Sequence, residues 1–368
     1  MEAERSLREH GLRVGALEPG AANSIADVDG MAVGHVTVVR DEPDPPEGRG
    51  TARSGLTAVV PRALGQLFAE PLQAGVAVLN GAGELTGSLE LAEWGLLQTP
   101  VYLTATMSVG RVFDGAVAAA VAADARVGVD DVVIPVVGEC DDSWLNDARV
   151  VQVEASDVEA ALADATGSAA VAQGAVGAGT GMVCFGWKGG TGSSSRVTED
   201  GHTVGVLVLA NYGAAPELRI DGVPVGRLLA DTDQGPPPEQ SGPPTPAGSC
   251  IAVVATDAPL GSAQLGRVAR RAGLGLARTG SVAHHGSGEI FMALSTSARA
   301  PRGEPAPPAL ADGELDPLFL ATVDATEEAV LNALWAAETT TGREGRVIER
   351  LPHEPVLELL AEHDRLGS

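Results

Sequence analysis

A proline-rich stretch divides this chain. DTDQGPPPEQSGPPTPAG, running from Asp231 to Gly248, carries prolines at 236, 237, 238, 243, 244 and 246. Proline fixes φ and lacks a backbone N–H, so neither a helix interior nor a central strand can run through it. The composition predicts an exposed, flexible connector over 231–247. Directly after it, SCIAVVATDAPL resumes an apolar pattern that reads as a buried strand. The two halves meet at Gly248-Ser249.

Both halves mix strands and helices. NSIADVDGMAVGHVTVV (Asn23 to Val39) alternates around the Asp29-Gly30 turn signal and predicts paired strands. LTAVVP and AGVAVLN read as buried strands, and DVVIPVVGE as a strand running into a loop. VGVLVLANYG reads as a buried strand ending in a polar loop, and EIFMALST as a further strand. Helices are expected over about 84–97, 114–125 and 262–278. A fourth, opening at Ser156, has Ser156 as N-cap and Glu159 completing a capping box. Asp324 or Thr326 is expected to cap a helix reaching about Glu338, and a last helix covers about 354–364. Without strict βαβ alternation, the pattern argues for an α+β or layered sandwich rather than a doubly wound sheet.

Composition narrows the function classes. The 368 residues are 44% hydrophobic but only 3% aromatic, with 47 glycines. The core must therefore be built from Ala, Val and Leu, with close backbone approaches. A formal net charge of -25 repels phosphate backbones and argues against a nucleic-acid partner. No apolar run reaches the length of a membrane span, so no membrane role is expected. Three scattered cysteines, Cys140, Cys184 and Cys250, make neither a disulfide framework nor a zinc cluster. The N-terminal residues lack a secretory apolar segment, and a cytoplasmic setting is the expectation. Lys188 in GWKGGTGSSSR does not have phosphate-loop spacing. The adjacent His284 and His285 would point apart on a strand, and no metal site is expected.

The junction itself suggests a chemistry. A hydroxyl at Ser249 enters rigid structure behind Gly248, whose carbonyl can be approached without side-chain hindrance. Attack of that hydroxyl on the Gly248 carbonyl, followed by hydrolysis of the ester, would leave Ser249 with a free α-amine. Such an amine titrates at roughly 7.7–8.0, close to the optimum for a general base at neutral pH. A bare Gly-Ser pair is equally a loop end before a strand, so the surrounding residues decide.

Those residues form long motifs: NSIADVDGMAVGHVTV, NGAGELTG, KGGTGSSSR, VLVLANYG, GSCIAVVATDAPL, LARTGS and GSGEIFMALST. In this order, from about Asn23 to Thr341, they resemble the L-aminopeptidase D-Ala-esterase/amidase family, which includes the β-aminopeptidases. The resemblance implies a four-layer αββα sandwich, one domain spanning 1–368, cut into a large fragment 1–248 and a small fragment 249–368. It implies cleavage between Gly248 and Ser249, with Ser249 as nucleophile for both cutting and turnover. It assigns Ser287 and Glu289 as partners of the nucleophile; on an extended segment the two share a face. It assigns Asn211 to an oxyanion hole and Glu139 to the substrate's free amino group. Family members often carry an aromatic residue where this chain has Asp141, and Asp141 and Asp142 read otherwise as exposed loop acids. Cys250 is expected on the face opposite Ser249, as a small core residue. The implied reaction is hydrolysis of a small peptide or amino-acid amide, without cofactor, by a homo-oligomer of cleaved pairs. The rivals are an endo-type oligoamide hydrolase, a related acyltransferase, both usually with threonine at the cut, and an uncleaved binding protein.

Overall fold

The computed structural model describes residues 6–165, 171–232, 234–236 and 247–367. In chain order these hold β1 (Ala32–Asp41), β2 (Thr51–Val60), α1 (Leu64–Ala69), β3 (Leu72–Gly81), α2 (Ser88–Glu93), β4 (Leu96–Leu97) and β5 (Val101–Ala105). Then follow α3 (Val109–Ala123), β6 (Val136–Cys140), α4 (Ser156–Asp164), β7 (Val183–Cys184), β8 (Trp187–Lys188), β9 (Gly190–Val197), β10 (Thr203–Asn211) and α5 (Val225–Asp231). The last part holds β11 (Ala247–Thr256), α6 (Ser262–Thr279), β12 (Gly286–Arg299), α7 (Asp316–Trp335), β13 (Thr340–Thr341), β14 (Val347–Ile348) and α8 (His353–Glu362).

Two sheets stack between helices. One has the order β1-β2-β5-β6 and the other β4-β3-β12-β11-β10-β9. Period-2 alternation sorts the side chains of each strand into layers. From β11, Ile251, Val253 and Ala255 enter the layer between the sheets, beside Leu207, Leu209, Ile290, Met292 and Leu103. Cys250, Ala252 and Val254 face the other way, into the core under α6 and α7. On the far side, Val112, Ala116 and Ala119 of α3 and Val158 and Ala161 of α4 pack on Leu56, Ala58 and Tyr102. The result is the αββα sandwich. By length and hydropathy Thr106–Ala123 could cross a membrane, but its apolar face packs here as an outer layer.

The small, unbranched residues of the sequence pay off in these contacts. At Gly192 an added Cβ would lie 1.9 Å from the Ala329 carbonyl oxygen, so β9 and α7 pack backbone to backbone.

Several elements differ from expectation. Residues 25–27 form a 3-10 turn, capped by Ser24, and only the second half of the first alternating segment becomes a strand. The helix expected over 84–97 shrinks to α2, because Gly87 and Gly95 take left-handed φ values of 73° and 68° at its ends. Ser156 is not an N-cap: the side chain of Asp157 accepts from the Glu154 N–H instead, at 2.8 Å. Helix α7 starts at Asp316, so Asp324 and Thr326 sit mid-helix. From Ala321 to Leu331 every residue is buried, which erased the amphipathic signal. The connector is shorter than 231–247. Asp231 closes α5 and Ala247 already belongs to β11, while 233 and 237–246 lie outside the described residues.

Helix α7 is also tied down by charge. Glu328 accepts from Arg8 at 2.8 Å and from Asn23 at 2.6 Å, and pairs with Arg196 at 2.5 Å. Burial pushes its carboxyl up, but the Arg8 bond and the Arg196 charge outweigh that and hold it below the ordinary glutamate value. Arg196 is fully buried, so Arg196→Met would strip a desolvated carboxylate of one partner. Breaking such pairs costs about 3–5 kcal/mol. Because Arg8 remains, the expected loss is near about 3 kcal/mol, read as a lower urea or thermal midpoint.

Candidate active site

The start of β11 sits inside the six-stranded sheet, with β10 on one side and β12 on the other. The antiparallel ladder sets Asn211 opposite Ser249, and the parallel one sets Gly288 beside Ser249. Ser249 therefore shares its face with Ile251, at the mouth of the gap between the sheets. A cleft of about 1130 Å³ opens there, and Ser249, Gly248, Asn211, Glu139, Gly83 and Thr106 are among the residues that line it.

Glycines make the approach possible. A Cβ on Gly248 would lie 2.0 Å from the Asn211 carbonyl oxygen, so no side chain fits before Ser249. A Cβ on Gly288 would lie 2.6 Å from the Ala82 carbonyl oxygen. That absence lets the 82–83 loop lie against the strand. A Cβ on Gly83 would then stand 3.1 Å from Glu139 Oε1 and 3.8 Å from Ser249 Oγ. The carboxylate and the hydroxyl thus flank one small space.

Glu139, at the end of β6, is buried. Its Oε1 accepts from the Glu84 N–H at 2.9 Å and its other oxygen from the Thr106 hydroxyl. Burial raises its pKa in spite of these bonds. A desolvated carboxylate of this kind gains most from a cation brought into the cleft. Asn211 is held at both ends of its amide: Oδ1 accepts from the Val183 N–H at 2.8 Å, and Nδ2 donates to the Asp141 carbonyl at 2.9 Å. These bonds fix which end carries the donors, and they use one of the two N–H groups of Nδ2.

Ser287 and Glu289 do not share the face of Ser249. The ladder sets them level with Gly248 and Cys250, on the α6/α7 side of the sheet. The two share a face with each other, as their spacing predicts, but parallel pairing aligns Ser249 with Gly288 and leaves that face on the side opposite the hydroxyl. The Ser287 hydroxyl donates to Glu289 Oε1. Glu289 is fully buried, and burial raises its pKa against the pull of that bond. Cys250 lies in the core under α6.

Other sequence readings resolve as follows. Asp141 is exposed, but Asp142 is buried, not a loop acid on the surface. It accepts from Asn146 Nδ2 at 3.0 Å. His284 pairs with Glu217 at 2.9 Å and His285 is exposed. Among the described residues no group of three or more His, Cys, Asp or Glu could hold a metal ion. Lys188 is fully buried, and its ammonium meets three backbone carbonyls. The sequence reading missed Thr106, Gly83 and Trp144. Gly83 lay within the NGAGELTG motif; the other two carried no local signal. Trp144 forms part of the cleft wall, with the Arg346 guanidinium 4.3 Å from its ring centre.

Comparison with known proteins agrees with this geometry. The pattern of peptidase family S58 matches residues 23–348. The chain is 42% identical to the β-peptidyl aminopeptidase BapA of Sphingosinicella microcystinivorans, over 95% of this chain and 91% of that one. The structure superposes on the L-aminopeptidase D-Ala-esterase/amidase of Ochrobactrum anthropi with a TM-score of 0.88. Identity there is 37%, covering 98% of this chain and 99% of the other. That protein is described as a prototype of the serine aminopeptidases and a variant of the Ntn-hydrolase fold. A Burkholderia sp. β-aminopeptidase superposes with a TM-score of 0.87 at 39% identity, covering 97% and 99%.

The wall behind the site carries its own pH dependence. Burial pushes the Asp142 carboxyl up to about 7, against the bond from Asn146 and the nearby Ser54 hydroxyl. With the folded pKa above the unfolded one, the native state holds the extra proton between about 4 and 7, and stability falls as pH rises through that window. Asp142→Asn is expected to remove this decline. The gap in melting temperature between variant and parent should widen by a few degrees from pH 5 to pH 8; an equal gap at both values would contradict it.

Proposed function

The chain belongs to peptidase family S58, and from that premise we propose that Ser249, freed by self-cleavage after Gly248, is its nucleophile. It is a serine aminopeptidase of the Ntn-hydrolase fold. The observation that carries the residue assignment is the convergence at one cleft of Ser249, its cross-strand neighbour Asn211, and Glu139 across the space beside Gly83.

The self-cleavage step needs no outside reagent but water. The Ser249 hydroxyl adds to the Gly248 carbonyl, the C–N bond breaks, and the hydroxyl proton passes to the nitrogen. Water then hydrolyses the ester, releasing the Gly248 carboxylate and restoring the Ser249 hydroxyl beside its new α-amine. The close contact at Gly248 supports this reading, since only glycine leaves that carbonyl open.

In turnover the α-amine takes the hydroxyl proton as Ser249 attacks the carbonyl of a short peptide, amide or ester. Asn211 Nδ2 donates to the oxyanion. The proton passes to the leaving group, and water releases the acyl group. Ser287 and Glu289 act on the new amine rather than on the hydroxyl: no longer held in a peptide plane, the amine can turn toward their face. Glu139 holds the substrate's own ammonium, which restricts the enzyme to substrates with a free amino group.

Two further readings concern setting. Exposed Val78, Leu79, Leu89 and Trp94 favour burial between copies of the chain, as a homo-oligomer. The three cysteines, free and buried, are compatible with a reducing cytoplasm.

Denaturing gels of purified protein should give fragments of residues 1–248 and 249–368, the smaller beginning Ser-Cys-Ile. Ser249→Ala should remain full length and be inactive on an aminoacyl p-nitroanilide; a processed or active variant would remove Ser249 from both roles. For Glu139→Gln, kcat/KM toward the same substrate should fall by about 10²-fold, the scale for truncating one side of a buried charge pair. Wild-type kcat/KM in that variant would dismiss the ammonium role.

A further inference from the structure

Lys188 is a cation in the core. It is fully buried, and among the described residues no carboxylate pairs with it. Burial drives its pKa down to about 7. The charged form is nevertheless well housed, because Nζ donates to the carbonyls of Gly179 at 3.0 Å, Met182 at 2.8 Å and Gly189 at 2.8 Å. Three acceptors match the three protons of an ammonium, whereas a neutral amine could serve only two. A buried unpaired charge is costly, and a methionine would fill the same space at less expense of solvation.

The position of one acceptor gives the charge a use. The Met182 carbonyl and the Val183 N–H belong to the same peptide group. Its oxygen accepts from Lys188 Nζ at 2.8 Å, and its N–H donates to Asn211 Oδ1 at 2.8 Å. A charged donor on one end of an amide polarises the next bond in the chain, and such chains strengthen cooperatively. The path therefore runs from the ammonium through the Met182–Val183 peptide to the side-chain amide of Asn211, which lines the cleft. Met182 is held in place as well, since its carbonyl also accepts from the Gly189 N–H at 3.0 Å.

We infer that Lys188 is a positioning residue for acyl transfer: it fixes and polarises the Met182–Val183 peptide, which orients the Asn211 amide and sharpens its N–H as an oxyanion donor. The inference rests on the oxyanion role of Asn211 proposed above. The positive charge acts at second hand, without an ammonium in the cleft to compete for Glu139.

The test is a double-mutant cycle on turnover of an aminoacyl p-nitroanilide, with rates counted per cleaved chain. Asn211→Ala should lower kcat by about 10²–10³-fold. Lys188→Met should lower kcat by about 10- to 100-fold, the range for a bond to a charged group, with KM near that of the parent. Carrying both changes, the enzyme should be no slower than Asn211→Ala alone, because the two act through one amide. Losses that multiply, or a wild-type kcat in Lys188→Met, overturn the inference. A wild-type kcat in Asn211→Ala instead removes the oxyanion assignment. If Lys188→Met does not yield folded protein, Val183→Pro deletes the N–H on Asn211 while leaving the ammonium and its carbonyls. It should show the same non-additive loss of kcat, and a wild-type kcat there overturns the relay. Where a variant is not processed, the same comparison is made on the rate of cleavage after Gly248.

Discussion

The pairing of Asn211 with Ser249 across β10 and β11 is the contact on which the site depends. It places a side-chain amide and a hydroxyl on the same face of adjacent strands, at the spacing of a cross-strand pair. Because β11 is hydrogen-bonded on both edges, the hydroxyl is held by two ladders at once. A serine on a loop would have to be ordered when substrate arrives; here most of that entropy is already lost on folding. Close packing at Gly248 and Gly288 then brings neighbouring backbone to within contact of the same strand.

The same pairing separates two acids by the thickness of a sheet. Glu139 and Glu289 are both buried, and burial raises both pKa values. Glu139 faces the cleft and is bonded by Thr106 and the Glu84 N–H, whereas Glu289 lies on the helix side with Ser287. Carboxylates placed side by side would oppose each other's ionisation. The sheet between them lets each answer to a different partner.

Much of this was legible in sequence, and the limits have physical causes. Helix α6 was read nearly to the residue because its apolar stripe is clear and its C-cap is Gly280 at φ 108°. Helix α7 was misplaced because it is buried all round, so Asp324, which accepts from Ala16 and Arg278, looked like a cap. The alternation that sent Cys250 away from Ser249 was visible in one strand. The face of Ser287 was not, since it depends on the register between β11 and β12, and no single strand encodes its partner's offset. Asp142 gave no sign of burial because Ser54, which lies beside it in the fold, is distant in sequence. The spacing around Lys188 excludes a phosphate loop, but its three carbonyl partners come from backbone that carries no side-chain signature.

The cleft also limits what can take the proton from Ser249. Among the described residues, the titratable side chains that line it are Glu139, Asp141, Tyr212 and three arginines. Guanidinium groups stay charged and cannot act as bases. Tyr212 turns into the core, bonded to Thr279, and Asp141 is exposed and solvated. Glu139 spends its oxygens on Thr106 and the Glu84 N–H, with Gly83 between it and Ser249. His284 is engaged by Glu217, and Lys188 is turned to its carbonyls. A base must lie within hydrogen-bond reach of the hydroxyl, and a serine's own α-amine satisfies that by covalent connection alone. In the intact chain that nitrogen is an amide with no lone pair to offer, so the proposed cut after Gly248 is also the step that would unmask the base.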